Sequence, residues 1–439
     1  MTADAAATRG RRLGAWAATA LVVSEVVGVG ILLTPAAMMR TLGGVLAPVL
    51  MWLAMGTLTT AGALCYAELA TRFPRAGGTY VFLREGFGRR TAFVYGWMAM
   101  LVMDPGLTAA LSLGFAQYLL LTLGIDARFA TPTALVAIVV FAVLATRGLS
   151  ANAVMLRWAA TLKLGVVGVL IAAGLWRFLG GAPVAQAAAG APDVPAMAGA
   201  VVAAFFAFGG WWDLGRMSEE VESPRRTMPV ALVGGVLLVT AIYLLVTVTL
   251  LMAATNGQAS SDEAFVASAG TALFGRSAAR LLAAIVTFTV AGSLAAVLVG
   301  GPRIALAMAR DGLLPSRVRW FDEARGSSIP GTLVQATLAS VLVLLGSFDQ
   351  ILGYFVPAAV FFLGLSAAAL FRFERPHDPQ VFRVPIYPLP LVLFLVLILV
   401  MLGLFVMGQP TQTSLGAAVV LIGLLLSVVL VRPVPATRP

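Results

Sequence analysis

Long apolar runs recur along the whole chain, and short polar segments separate them. A helix of about 18 or more apolar residues is long enough to cross roughly 30 Å of hydrocarbon. The pattern therefore predicts an all-α membrane protein with twelve transmembrane helices. The predicted spans are 13–39, 44–71, 91–122, 131–149, 152–178, 196–217, 229–254, 279–309, 330–347, 350–372, 388–407 and 412–431.

The composition agrees with this pattern, because 60% of the residues are hydrophobic and only 11% are charged. Soluble domains carry about 25% charged residues. The first apolar run follows Arg9, Arg11 and Arg12, lacks a small-residue cleavage site and is too long for a signal peptide. It is predicted to be a retained first span.

The net charge of +10 indicates orientation rather than a nucleic-acid partner. If both termini lie inside, most arginines fall in alternate, cytoplasmic connections, and Arg216 is one of these. This asymmetry follows the positive-inside rule. It predicts a multi-pass protein of the cell's inner (cytoplasmic) membrane with both termini in the cytoplasm. The opposite connections receive only Arg40, Arg128, Arg177, Arg276 and Arg280.

Side chains that could build a catalytic or metal centre are scarce. Cys65 is the only cysteine, and His377 is the only histidine and stands in a polar loop. Metal sites gather several ligands, and no nucleophile–base set can be assembled. The sequence therefore predicts no metal, no cofactor and no enzyme. A transport or channel protein remains, with the lipid bilayer and a small molecule as its partners.

Two of the predicted spans contain paired glycines at corresponding places. Gly28 and Gly30 interrupt the first span, and Gly209 and Gly210 interrupt the sixth. Interrupted helices about five spans apart are typical of inverted repeats whose broken helices meet near the middle of the bilayer. Such glycines can also serve only to let helices pack closely, but the matched pair favours a transporter.

This organisation divides the chain into five segments. Two five-helix repeats cover 13–178 and 196–372, and two further helices cover 388–431. Residues 1–12 and 432–439 are expected to form short cytoplasmic tails.

The interruption of the first span predicts a socket for a zwitterion. Opening the helix at Gly28-Val29-Gly30 would expose N–H groups and the positive end of a half-helix, which suit a carboxylate. The sixth span would supply a second set of backbone groups around Phe206 to Trp211. Aromatic side chains crowd this second break, and Phe206 is the one that we predict to cover a bound substrate as a gate.

Lys163 is the only lysine of the chain and lies within the fifth predicted span. An ammonium group near the middle of a bilayer is costly and persists only where a partner or a cavity receives it. Two interpretations remain open. The side chain can reach towards water beside Arg157. Alternatively, its ammonium occupies a cation site between spans 1, 5 and 8, where it would donate to carbonyls of span 1 and to a hydroxyl such as Ser293.

Three carboxyl side chains are predicted at membrane depth: Glu25, Asp104 and Asp213. Such groups can be neutral there, or can exchange protons during transport. Glu25 immediately precedes the first break and can pair with Lys163, carry a proton or contact a cationic substrate. Asp104 precedes Pro105 and can instead satisfy backbone groups, and Asp213 can instead cap the broken helix.

Several segments together resemble one transporter family. The first span contains VVGVGILLTP, and the sixth contains FAFGGW, followed by SEE and SPRRTMP. Further segments are GALCYAELATRFPRAGGTYVFLREGFG, RWAATLKL and AGSLAAVL. Together they are similar to the L-type amino acid transporter branch of the amino acid–polyamine–organocation (APC) superfamily, over about residues 13 to 320.

The resemblance implies a LeuT-type fold with a 5+5 inverted repeat, discontinuous helices 1 and 6, and alternating access. Lys163 and Ser293 match positions where the branch replaces a sodium ion with a lysine ammonium, so transport would not depend on sodium. The substrate-binding positions that the resemblance implies are Gly28, Val29, Gly30 and Ile31 for the carboxylate, and Phe206, Ala207 and Gly209 for the amine, with Phe206 as the gate.

The sequence therefore predicts a permease for small or neutral amino acids that works by exchange or with protons. A carrier of polyamines or cationic amino acids is the main alternative, because three carboxylates lie at membrane depth. A passive channel is less consistent with the sequence, which has no filter loop and no repeated polar pore-lining positions. The sequence does not identify a partner subunit, and the position of Cys65 within the second span argues against a disulfide to one.

Overall fold

The computed structural model describes residues 13–28, 46–75, 77–147, 149–180, 194–253, 276–314, 328–346, 348–376 and 378–431, with single positions at 31, 34, 38 and 42. Regular structure in these ranges is helical, apart from one isolated bridge between Leu13 and Val221. The α-helices, numbered in chain order, are α1 Ala15–Val26, α2 Leu46–Arg72, α3 Thr79–Phe87, α4 Arg89–Leu123, α5 Ala130–Thr146, α6 Leu149–Leu179, α7 Val194–Ala207, α8 Pro224–Ala253, α9 Arg276–Gly300, α10 Pro302–Arg310, α11 Ile329–Leu345, α12 Phe348–Ala368, α13 Leu389–Gly408 and α14 Pro410–Leu430.

The helices follow the predicted spans closely, and the all-helical membrane class is confirmed. Within the described ranges, nine helices are long and apolar enough to cross a membrane, and shorter apolar helices cover Ala15–Val26, Thr161–Trp176 and Ile329–Leu345. The count of twelve spans and the inverted repeat of 13–178 with 196–372 stay predictions. The predicted positions that lie outside the described residues are Val29, Gly30, His377 and the tails 1–12 and 432–439.

The centre of the bundle is built around α8, which packs against α1 and α2. Small residues allow this close approach. A side chain at Gly235 would collide with Val22 of α1, and one at Gly56 would collide with Thr240 of α8. Small residues at helix contacts are a common device in membranes, where packing and hydrogen bonds hold helices together. This packing places the end of α1 beside the middle of α8.

The long helix α4 contains one wide turn. Residues Ala99–Met103 of α4 form a π-helical turn, and the Asp104 N–H donates to the Ala99 carbonyl. Pro105 follows and has no N–H to continue the ordinary ladder. Single π turns inside α-helices are frequent at functional sites. The turn brings Asp104 to a buried position, 6% exposed, within the bundle.

Several loops meet at one end of the bundle, which we call the arginine-rich end because it holds Arg72, Arg84 and Arg225. There the start of α1 is joined to the segment after α7, since the Glu222 N–H donates to the Leu13 carbonyl at 2.9 Å. A second main-chain N–H at this end donates a hydrogen bond to a side chain. The Val384 N–H, in the loop before α13, donates to the Glu68 carboxylate of α2 at 2.7 Å, and Arg72 pairs with the same carboxylate.

A compact polar cluster ties the loop helix α3 to the end of α10. The Arg84 guanidinium lies 2.7 Å from the Asp311 carboxylate, and the Tyr80 hydroxyl donates to the same carboxylate at 2.7 Å. Arg89 donates to the Asp311 carbonyl. Burial and the Asp311 carboxylate raise the pKa of the Tyr80 hydroxyl, so this hydroxyl remains a donor at neutral pH. Asp311 therefore joins two loops that are far apart in the chain.

We predict that Asp311→Ala lowers the free energy of unfolding by about 2 kcal/mol, because hydrogen bonds to charged groups are among the stronger ones. The measurement is thermal unfolding of the purified protein in detergent. The matched control is Asp378→Ala, which removes a 2.7 Å pair with Arg225. Side chains of that pair are 43% and 41% exposed, against 23% and 21% for Asp311 and Arg84. Exposed pairs contribute about 0–1 kcal/mol, so equal losses in both variants would contradict the prediction.

Candidate functional site

Two helices end opposite each other inside the bundle. α1 ends at Val26, and α7 ends at Ala207. The turn 208–210 and a 3₁₀ helix, Trp211–Glu220, follow α7. Gly210 has φ +109°, and a side chain there would lie 3.1 Å from the Glu25 carbonyl oxygen. Only glycine combines this backbone conformation with so close an approach, so this residue lets the two chain segments touch.

The Tyr243 hydroxyl of α8 bridges the two helix ends. It lies 2.9 Å from the Val26 carbonyl oxygen and 2.6 Å from the Ala207 carbonyl oxygen. The Tyr243 side chain is fully buried, and its ring packs against Trp52 and Phe208. The last carbonyls of a helix have no partner in the helix itself. The hydroxyl has a single proton, so it donates to one of these two carbonyls at a time, and it lies between the two helix ends.

The turn after α7 uses its own backbone groups in part. The Gly209 N–H donates to the Phe206 carbonyl at 2.9 Å, and the Asp213 N–H donates to the Gly210 carbonyl at 3.0 Å. With the Tyr243 contact, the carbonyls of both Phe206 and Ala207 already accept a hydrogen bond from the protein. Each carbonyl oxygen has two lone pairs. Both carbonyls therefore keep capacity for one further donor.

Lys163 lies deep in the bundle on α6. Its side chain is 6% exposed, and its Nζ donates to the Ser24 carbonyl of α1 at 2.7 Å. A small cavity opens beside it, and the surrounding residues come from the end of α1, from α6 and from α9. They are Val27, Gly28, Ile31, Lys163, Val166, Val167, Ile285, Val286 and Thr289. The ammonium therefore reaches a carbonyl of α1 at a junction of three segments.

Ser293 stands on α9, one turn beyond that cavity. Its hydroxyl donates to the Thr289 carbonyl of the same helix at 3.5 Å. Among the described residues, no hydrogen bond joins Ser293 to Lys163. Thr289, rather than Ser293, is the hydroxyl residue that lines the cavity beside Lys163. Ile31 is fully buried and also lines the cavity. The predicted roles of these residues in cation and substrate binding stay predictions.

Asp104 and Asp213 are brought together by an arginine. Arg216 Nε lies 2.9 Å from Asp213 Oδ1, and Arg216 Nη1 lies 3.6 Å from Asp104 Oδ1. The buried Tyr95 side chain lies in the same polar cluster as Arg216. The side chain of Arg216 is only 16% exposed. The 3₁₀ helix therefore turns this side chain inwards, towards two carboxylates.

Glu25 occupies the last turn of α1, directly against the second break. Its carbonyl faces Gly210. In the part of the chain that the structure describes, no ion pair joins Glu25 to Lys163 or to any other side chain. The three carboxyl groups predicted at membrane depth therefore differ in their surroundings. Asp104 and Asp213 share one guanidinium, whereas Glu25 makes no such ion pair and interacts with Asp213, Lys163 and Arg216 over a longer distance.

Aromatic side chains surround the second break on several sides. Phe206, the predicted gate, is partly buried and packs against the apolar core. Trp211 packs edge to face against Tyr66, with ring centroids 5.1 Å apart, and against Trp212 at 5.5 Å. These rings cover part of the turn, in which Gly209 and Gly210 remain partly exposed.

Sequence reasoning missed two side chains at this site. Tyr243 is the only tyrosine of an apolar predicted span, and a buried tyrosine hydroxyl usually has a hydrogen-bond partner. Its presence in that span could therefore have indicated a polar contact inside the bundle. Arg216 lies three residues after Asp213, a spacing that brings helical side chains together. The mean charge of a loop carries no such information, because it ignores where each side chain points.

Comparisons with known proteins agree with this geometry. The family model described as "Amino acid permease" matches residues 13–426. The serine/threonine exchanger SteT of Bacillus subtilis (strain 168) is 26% identical over 419 residues, which cover 94% of this chain and 95% of that protein.

Two human proteins are similar to the same extent. The cystine/glutamate transporter of Homo sapiens is 26% identical over 92% of this chain and 82% of its own length. The large neutral amino acids transporter small subunit 2 of Homo sapiens is 27% identical over 94% of this chain and 79% of its own length. The family model covers nearly the whole chain and describes transporters rather than enzymes. This protein therefore belongs to the amino acid permease family of the APC superfamily.

Proposed function

We propose that this protein carries amino acids with small or uncharged side chains across the cell's inner membrane by alternating access. The meeting of two interrupted helices is the observation that supports this most strongly. Gly210 lies against the Glu25 carbonyl, and Tyr243 joins Val26 to Ala207. Backbone that departs from a helix at membrane depth is tolerated only where it is buried in protein or lines a cavity. Its N–H and C=O groups have the two polarities that a zwitterion needs.

In this proposal the substrate binds mainly to backbone groups. Phe206 covers it as a gate, and Gly28 and Ile31 are supported by their position at the cavity beside Lys163. Phe206 and Ala207 are supported by the remaining lone pair on each carbonyl. The proposed set is Gly28, Val29, Gly30 and Ile31 for the carboxylate, and Phe206, Ala207 and Gly209 for the amine.

The charges around the breaks favour a substrate with an uncharged side chain. Arg216 already pairs with two of the three carboxylates, Asp104 and Asp213. A cationic substrate would have to compete with that arginine. Glu25 is then the carboxylate that remains for a proton, so both exchange and proton-coupled transport are compatible with the site. This distribution makes polyamines and cationic amino acids the weaker proposal.

Lys163 supports a transport cycle without sodium. In our proposal its ammonium, held by the Ser24 carbonyl at 2.7 Å, fills the position of a coupling cation, with Thr289 or Ser293 supplying a hydroxyl in other conformations. We further propose that the arginine-rich end faces the cytoplasm, as the positive-inside rule favours. Cys65 is buried in α2, so a partner subunit would have to bind without a disulfide to this chain.

The names of the relatives point in the same direction. One is an exchanger of serine and threonine, and another is a small subunit of a transporter of large neutral amino acids. A third is named for cystine and glutamate, so the family accommodates several substrates. Uncharged side chains are common to two of these three names, and the paired carboxylates at Arg216 are consistent with them.

The proposal predicts counterflow in proteoliposomes. Vesicles that hold unlabelled alanine, serine or leucine should take up the labelled amino acid several times faster than empty vesicles, and replacement of sodium by choline should leave the rate unchanged. Imposed proton gradients separate exchange from proton coupling. Competition by arginine or putrescine with no effect of alanine and leucine would reverse the choice of substrate. Equal uptake into loaded and empty vesicles would indicate a passive pore.

We predict that Lys163→Ala lowers uptake at least tenfold while the protein still inserts in the membrane, because the Ser24 carbonyl loses its donor and the cation site its charge. Uptake and the amount of protein in purified membranes are both measured. The matched control is Leu162→Ala, since Leu162 is the preceding residue of the same helix and is 38% exposed. Near-normal uptake by Lys163→Ala would favour the alternative in which this side chain only reaches towards water.

We predict that Tyr243→Phe lowers the exchange rate at least about fivefold, since it removes the hydroxyl that joins Val26 to Ala207. A typical hydrogen bond contributes about 1 kcal/mol. The matched control is Tyr387→Phe, which retains the ring that Arg375 covers at 4.0 Å. Exchange by Tyr243→Phe at the control's rate would show that ring packing alone holds the two helix ends.

A further inference from the structure

The cluster of Asp104, Arg216 and Asp213 has no role in the substrate contacts proposed above. It lies between α4 and the 3₁₀ helix that follows the second break. Arg216 is ion-paired with Asp213 at 2.9 Å and with Asp104 at 3.6 Å. Asp104 is 8% exposed as a side chain, whereas Asp213 is 30% exposed. The cluster is thus closed on the α4 side and open on the side of Asp213.

The open side of the cluster lies close to the proposed substrate position. The Asp213 N–H donates to the Gly210 carbonyl at 3.0 Å, so Asp213 is within one helical turn of the break. Gly210 in turn contacts the Glu25 carbonyl. A side chain of a bound amino acid that points towards the arginine-rich end would therefore approach Asp213 and Arg216.

The two carboxylates of the cluster have more acceptor oxygens than the Arg216 guanidinium occupies. Two carboxylates offer four oxygens to one guanidinium, and Asp104 Oδ2 is buried without a hydrogen-bond partner among the described residues. Carboxylates at membrane depth need such a partner, because an unpaired charge there is costly. Asp104 and Asp213 therefore form a receptor for a guanidinium or ammonium group, and Arg216 is the group that fills it.

We propose that Arg216 is a specificity determinant that excludes cationic substrates. Its guanidinium occupies the place between Asp104 and Asp213 that the side chain of arginine or ornithine would otherwise take. This inference rests on the proposed function, since it assumes that an amino acid binds at the breaks. Discrimination by an unfavourable element against the wrong ligand is a general route to specificity. Here that element is an arginine of the protein itself.

The inference predicts a change of preference when the arginine is removed. In Arg216→Ala, two carboxylates remain without a counter-charge, and a cationic substrate supplies one. The ratio of arginine to alanine binding should rise at least tenfold over the wild-type ratio. Binding is measured by the thermal shift of the purified protein with each amino acid, and transport by counterflow in proteoliposomes. Free guanidinium ions should partly restore alanine exchange by filling the vacated place.

Further variants keep the test decisive if Arg216→Ala is poorly folded. The double variant Arg216→Gln/Asp104→Asn has the same net charge as the wild type and leaves Asp213 without an arginine, so it should also gain arginine binding. Arg216→Lys retains the charge and should keep the preference for alanine. Arg225→Ala removes an exposed arginine that pairs with Asp378. This control should leave the ratio of arginine to alanine binding unchanged.

Three results would overturn the inference. The first is an unchanged ratio in Arg216→Ala or in the double variant. The second is a gain of arginine binding that persists when Asp213→Asn is added to Arg216→Ala, since the carboxylate would then not be the receptor. The third is equal use of arginine and alanine by the wild type. Failure of the wild type to exchange any neutral amino acid would instead reject the proposed function, and arginine binding by the variants would still be read from the thermal shift.

Discussion

Backbone groups that leave a helix inside a membrane have to be satisfied by the protein, and this constraint organises the centre of the molecule. α1 ends at Val26 and α7 at Ala207, and each end frees carbonyls that have no partner in the helix itself. Tyr243 and Lys163 supply donors from α8 and α6. The interruption of two helices is stable only because two other helices complete it. The same two donors hold the helix ends in place, and each carbonyl oxygen keeps a second lone pair for a further donor.

Buried charged side chains beyond the breaks also have to be satisfied by the protein. Burying an ion alone is costly, whereas a buried pair with further hydrogen bonds is tolerated. Arg216 meets the first part of this condition through its ion pairs with Asp104 and Asp213. The π turn of α4 ends directly before Asp104, so this wide turn and the buried ion pair lie together.

The sequence predicts the fold class well, because apolar runs long enough to cross a membrane leave few alternatives to helices. The break in the sixth span and the presence of Lys163 inside the bundle were also accessible, since a glycine pair and a single lysine stand out in an apolar chain. Contacts between distant side chains were not. Tyr243 meets a carbonyl 217 positions away, and no local pattern predicts that meeting. The inward direction of Arg216 was not accessible either, because the positive-inside rule averages over loops and does not resolve a short 3₁₀ helix that turns one arginine inwards.

The main-chain contact at the start of α1 has a mechanical consequence. Leu13 is bonded to the backbone at Val221 and Glu222, so the beginning of α1 and the end of the 3₁₀ helix Trp211–Glu220 are fastened at the arginine-rich end. Their opposite ends touch again where Gly210 meets Glu25. Two segments that are joined at both ends resist sliding past one another, so an opening of this side would have to move α1 and the 3₁₀ helix together.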